Sequence, residues 1–185
     1  MDLENAESLR AELRSFLSVG SPPGPPRVDV MSSTEEDGFV RYHVHLAAED
    51  VIPAYLAVPT GDGPFPAVVI FHQHAGQRHL GKSEVIGLIG DKFQAFGPPL
   101  ARAGLVVLAP DSIAFEGRRP AGEGTDPRDD DWDQHYNELA YRIVVGETLM
   151  HKVLQDAMVA VSALSAREDV DSDRLGALPT RCWRR

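Results

Sequence analysis

The sequence has 185 residues, a length suited to one domain, and its 43% hydrophobic and 25% charged residues exclude a chain disordered throughout. A formal net charge of -10 and a pI near 5.1 disfavour nucleic acid and anionic membrane surfaces as partners, because both are bound through clustered Lys and Arg. The single cysteine, Cys182, has no partner for an intrachain disulfide. No charged leader with an apolar core opens the chain, and no apolar run nears the roughly 20 residues that span a bilayer, so a soluble cytoplasmic protein is expected.

Residues 5–17 set Leu9, Leu13, Phe16 and Leu17 on one side at helical spacing and predict an amphipathic helix. The following GSPPGPP (20–26) stops any helix or central strand, because proline fixes φ and removes an amide donor. Residues 1–26 therefore read as a helix and linker ahead of a domain over 27–178, with 179–185 as a tail of different character. FVRYHVHL (39–46) alternates Val40, Tyr42, Val44 and Leu46 against Arg41, His43 and His45, the pattern of a half-buried strand. VIPAYLAV (51–58) predicts an antiparallel neighbour, with Pro53 suited to an edge.

The pattern changes at AVVIF (67–71) and LVVLA (105–109), short continuous apolar runs typical of parallel strands covered on both faces. Between them, 92–103 predicts a helix with Phe93, Phe96, Leu100 and Ala103 inward, kinked or shifted by Pro98 and Pro99 and stopped at Gly104. Strand, helix, strand of this kind is the βαβ unit of an α/β sheet. The polar segment 111–134 is longer than the roughly 12 to 15 residues usual for a loop, which points to function or mobility. Residues 137–166 return to helical periodicity, with Leu149, Val153, Leu154, Ala157 and Val161 as the buried stripe, and 174–178 begins a further strand.

In this order of elements, the strings PAVVIFHQHAG (66–76), LARAGLVVLAPD (100–111), AFEGRR (114–119) and DVDSDRLGAL (169–178) resemble the α/β-hydrolase superfamily. The nearest resemblance is to dienelactone hydrolases and acetyl xylan esterase-like proteins. It implies an α/β fold comprising the N-terminal part of a hydrolase sheet, antiparallel strands first and parallel strands with flanking helices after, incomplete at its C-terminus. It also implies hydrolysis of a carboxylic ester or lactone through a serine acyl-enzyme, with no metal or organic cofactor.

The loop after the first buried parallel strand would supply the backbone amide that stabilises the oxyanion, which falls to Gln73 or His74 where the family commonly has His-Gly. His72, Asp111 and Arg118 are pocket candidates by the same resemblance; the plainer alternative makes Asp111 a turn cap and Arg118 a surface residue. Asp156 recurs in the family, and here it reads as a solvated helix position.

The nucleophile of this class stands on a strained GxSxG turn between strand and helix. After Leu178 this chain reads PTRCWRR, which places Arg181 at the serine position. Arginine does not attack an acyl carbon, and Trp183 and Arg184 replace the glycines of the turn. Cys182 is one position out of register and lacks a following helix to activate it. The ending departs from the preceding composition as a frameshift would make it, although no single shift restores the whole motif. The acid and base of the triad follow the serine in this superfamily, so the chain is expected to lack esterase activity.

Two other readings carry their own motivation. His72 and His74 alternate at strand spacing and, with His79 and one of Glu84, Asp91 or Asp111, could hold zinc. A non-catalytic binding protein would explain the absent triad, with the acidic run 126–133 as its contact surface. His43, His45, His135 and His151 have no evident partners and read as exposed. Trp132 and Tyr136 either line a pocket or anchor the long loop. An uncovered sheet edge favours self-association, and a small ester or lactone is the ligand the resemblance implies.

Overall fold

The computed structural model describes residues 3–74, 76–120 and 124–180. Six strands follow in chain order: β1 (Val28–Glu36), β2 (Phe39–Leu46), β3 (Ile52–Pro59), β4 (Phe65–Phe71), β5 (Val106–Pro110) and β6 (Val170–Pro179). They form one sheet ordered β1-β2-β3-β5-β4-β6. β1, β2 and β3 are antiparallel neighbours, and β3 also runs antiparallel to β5. β4 runs parallel to both β5 and β6, with Val68 opposite Val107 and Ile70 opposite Leu178.

The apolar runs that suggested doubly covered strands are explained by two cores. Ala67 and Val69 of β4, with Val106 and Leu108 of β5, face a core completed by Ala160, Ala163 and Leu164 of α5 (Leu149–Ser165). Val68, Ile70, Val107 and Ala109 point the other way, onto Val85, Ile86 and Ala101 beside α2 (Lys82–Val85) and α3 (Gly97–Arg102). Alternate side chains of one strand serve opposite faces, so both sets must be apolar.

Several local expectations need correction. Pro53 is not at an edge: β3 lies between β2 and β5. It is accommodated because it is the second residue of β3, beyond Ala54 and Pro110 where the β5 ladder ends. The helix over 92–103 is two pieces, a 3₁₀ turn at Lys92–Gln94 capped by Asp91, then α3 with proline in its first turn. Phe93 falls on the separate 3₁₀ turn and is 87% exposed, Ala103 is exposed at the α3 terminus, and only Phe96 and Leu100 pack inward.

The helical stretch 137–166 is likewise divided, into α4 (Asp131–Val144) and α5. Gly146 adopts φ +83, and the Thr148 hydroxyl accepts from the His151 amide to start the second helix. β1 escaped the sequence reading because this edge strand is almost wholly exposed and shows no buried alternation.

The N-terminal helix α1 (Leu3–Phe16) forms as expected, but Leu9, Leu13 and Phe16 remain exposed. It is tied to α5 through the linker, where the Leu17 carbonyl lies 2.9 Å from His151 Nδ1 and the Pro23 carbonyl accepts from Ser162 Oγ at 2.8 Å. An apolar groove of about 830 Å³ lies between them. The α5 stripe is therefore rotated from its expected position: Lys152, Asp156, Ala160 and Leu164 are buried, while Leu154, Ala157 and the exposed Val161 line the groove. Among the described residues no helix is long and apolar enough to cross a membrane.

Replacing Ile70, which is fully buried in β4, by alanine is expected to cost about 2–5 kcal/mol in urea unfolding. Phe93→Ala is expected to stay within about 0.5 kcal/mol of the parent.

Candidate active site

β4, β5 and β6 end on the same side of the sheet, where a ligand crevice opens in proteins of this architecture. A cavity of about 300 Å³ lies there, lined by Phe71 and His72 after β4, Asp111 and Ser112 after β5, Leu154 and Asp156 from α5, and Pro179 from β6. The Thr180 amide donates to the Phe71 carbonyl at 2.9 Å, carrying the β4–β6 pairing to the last described residue. Arg181 and Cys182, the sequence candidates for the nucleophile position, lie outside the described residues.

His72 joins the first two strand ends. Its Nε2 accepts from the Ser112 amide at 3.0 Å, so Nδ1 carries the proton and donates to the Gln73 carbonyl at 3.0 Å. Burial pushes the His72 pKa down, and the ring is neutral. With both nitrogens engaged, His72 has no lone pair left for zinc. Among the described residues no group of three His, Cys, Asp or Glu side chains is arranged to hold a metal ion.

Gln73 turns its buried side chain away from the cavity and donates to Glu84 at 2.9 Å. Glu84 in turn accepts from the Asp91 amide, fixing the turn after β4 against the segment before α3. His74 is exposed, with Nε2 2.7 Å from Arg78. Its pKa is lowered by partial desolvation of the ring against Phe115 and His135 and by the Arg78 charge.

Beneath the cavity lies a buried charge cluster. Lys82 Nζ stands 2.7 Å from Asp111 and 2.6 Å from Glu116, and all three residues are buried. The Lys82 amide donates to Asp111, the Gly81 and Ser83 amides to Glu116, and the Gly117 amide back to Asp111. The approach is so close that a Cβ on Gly81 would stand 2.3 Å from Asp111 Oδ1. Glu116 is held at φ +36, a left-handed backbone uncommon outside glycine, by the donors gathered on its carboxylate. Burial and the Glu116 charge push Asp111 up to about 7 against the opposing pull of Lys82. Burial opposes the charge on Lys82, but Asp111 and Glu116 outweigh it and raise its pKa.

A second network starts from Arg118, which is not a surface residue. Its guanidinium is paired with Asp50 and Asp156, at 2.5 and 2.7 Å, and donates to the Asp111 carbonyl at 3.2 Å. Lys152 completes the network with Asp50, Glu49 and Asp156. Asp156 is accordingly buried rather than solvated, and it joins Asp111 in lining the cavity.

His135 also departs from its exposed reading: it is buried, with its ring against His74 at 5.2 Å and Phe115 at 6.0 Å. Trp132 and Tyr136 stack on each other, and Trp132 covers the turn at Gly76. In the acidic run, Asp131 is buried on Arg119 at 2.7 Å. Sequence reasoning missed Lys82, Glu116, Lys152 and Arg78. Lys82 and its two carboxylates are separated by 29 and 34 residues, so no local spacing could have announced them.

Fold and site together define a protein of the α/β-hydrolase type. Residues 52–179 match the dienelactone hydrolase family, and the chain belongs to it. The candidate hydrolase YtaP of Bacillus subtilis is 29% identical over 178 residues, which cover 92% of this chain and 56% of that protein. A candidate acetyl xylan esterase of Bacteroides fragilis aligns with a TM-score of 0.70 at 15% identity, over 95% of this chain and 46% of its own. Acetyl xylan esterase 1 of Thermoanaerobacterium aligns with a TM-score of 0.55 at 19% identity, over 91% and 54%. At these identities the solved structures establish the fold. The chain spans about half the length of the relatives it matches.

Lys82→Met leaves Asp111 and Glu116 buried without a counter-charge and is expected to destabilise the fold by about 3–5 kcal/mol. Urea unfolding should show a larger loss at pH 8 than at pH 6, because protonating Asp111 relieves the repulsion. His135 is held neutral, with burial and Arg78 pushing its pKa down to about 4. The unfolded chain therefore takes up the proton first, and stability should fall as pH drops from about 6.5 towards 4. In melting curves, His135→Gln should flatten that decline.

Proposed function

We propose that the ends of β4, β5 and β6 frame the site of a carboxylic ester or lactone hydrolase, and that this chain, with Arg181 at the nucleophile position, does not itself turn over esters. The observation that carries the reading is the parallel pairing of β4 with β6, extended by the Thr180 amide on the Phe71 carbonyl. The ends of both strands, Phe71 and Pro179, line one cavity together with His72 of the turn after β4.

In such a site a serine at the strand end attacks the acyl carbon, a histidine takes its proton, and backbone amides receive the negative oxygen. The contribution of this chain is the receiving turn. His72 bonds the Gln73 carbonyl on one side and the Ser112 amide on the other, which limits how far the Gln73 and His74 peptide units can rotate. The Asp111 and Arg118 contacts hold the opposite wall, and Asp156 fixes α5 against it. An arginine at position 181 supplies neither a nucleophile nor the small residue a tight elbow requires.

Purified chain is expected to give no p-nitrophenyl acetate turnover above buffer; turnover abolished by Cys182→Ala would overturn the inactivity. Acetanilide, an amide isostere of phenyl acetate, tests the site without needing chemistry. Saturation-transfer NMR should detect its binding to the parent chain and lose the signal in Val153→Trp, which fills the cavity and does not line the groove beside α1. No transfer to the parent chain would sink the ester reading.

A further inference from the structure

Arg78 carries a buried charge that no carboxylate among the described residues pairs with. It is 1% exposed, and its guanidinium lies between the rings of Phe115 and Trp132, 4.8 and 4.6 Å from their centres. Nη1 meets His74 Nε2 at 2.7 Å and the His74 carbonyl at 3.3 Å, and Nε has no hydrogen-bond partner. To receive that N–H, His74 Nε2 must be unprotonated, so the ring is neutral and supplies no counter-charge.

The contrast with the other buried cations is informative. Lys82, Arg118, Arg119 and Lys152 each have a carboxylate oxygen within 3.1 Å. No carboxylate among the described residues pairs with Arg78. Asp131, whose field reaches it, is held by Arg119 at 2.7 Å and by the Arg128 amide at 3.0 Å. Aromatic faces recover part of the lost hydration of a guanidinium, but they offer no acceptor to its N–H groups. Beside it, His135 Nδ1 is also buried without a partner.

We propose that Arg78, with His74 and His135 beside it, binds a small oxyanion, the carboxylate or phosphate group of a ligand, beneath Trp132. An oxyanion presents the paired acceptors that match the fork of Nε and Nη donors, and His135 Nδ1–H joins them in the tautomer that protonates that atom. The cluster is one ring deep: Trp132 is 48% exposed and His74 is exposed, so displacement of one indole opens it to solvent. The side chains of Arg78, Trp132 and His135 do not line the cavity at the strand ends, and His74 alone is shared, its peptide unit belonging to the turn proposed for the ester site.

Trp183→Phe leaves Trp132 as the sole tryptophan and a fluorescence reporter of the site. Sodium phosphate and sodium acetate, each titrated at pH 7 against sodium chloride of matched ionic strength, are expected to give a saturable change and a rise in melting temperature. The tighter of the two identifies the group accommodated. Arg78→Met should abolish both effects, and Arg78→Lys, which keeps the charge but not the fork, should weaken binding at least about tenfold. Responses no larger than those to chloride, or unchanged in Arg78→Met, would overturn the proposal. Should Arg78→Met not fold, the Arg78 Nε–H signal in ¹H–¹⁵N spectra, assigned by its loss in Arg78→Lys, decides: it should move saturably with the anion, and a stationary signal rejects the site.

Discussion

The ammonium of Lys82 lies between two carboxylates that belong to the segment following β5, while Lys82 itself stands at the start of α2, after β4. A crevice at the ends of parallel strands needs its two loops held at a fixed separation, and here the link is ionic rather than apolar. In a medium of low polarity such a pair is strong, but it is tolerated only when the remaining acceptor positions are filled. Backbone amides from Gly81, Lys82, Ser83 and Gly117 fill them. The placement of His72, the backbone of Glu116 and the mouth of the cavity all depend on that arrangement.

The two charge networks meet at Asp111. Its side chain belongs to the Lys82 cluster, and its carbonyl accepts from Arg118, which anchors Asp50 and Asp156. Movement at either cluster therefore reaches the other through one residue, and α5 is coupled to the turn after β4 without direct contact between them at that point. The Lys82 cluster is buried throughout, and in the second network Arg118, Lys152 and Asp156 are buried while Asp50 and Glu49 reach solvent, so removing one of the buried partners is the costly change.

The sheet was legible where composition is forced by two-sided burial: the AVVIF and LVVLA runs marked β4 and β5 because Val68 and Val69 serve opposite cores. Where packing is one-sided or polar, periodicity misled. Phe93 looked like a core residue but follows a cap at Asp91 that closes a separate turn. The α5 stripe was rotated because Lys152 and Asp156 are buried as ion pairs, and a hydrophobicity pattern counts them as solvent-facing. His72, Asp111 and Arg118 were found through resemblance to a family, not through spacing. Their partners, Lys82, Glu116 and Asp50, are made neighbours only by the tertiary fold.

Gly81 shows how little latitude such a junction leaves. Even a methyl group there would overlap Asp111 Oδ1, and the carboxylate cannot retreat without releasing Lys82 and Gly117 together. Positions 81 and 111 are thus exchangeable only as a pair: a relative with alanine at the first must shorten or remove the acid at the second and find another way to neutralise its lysine.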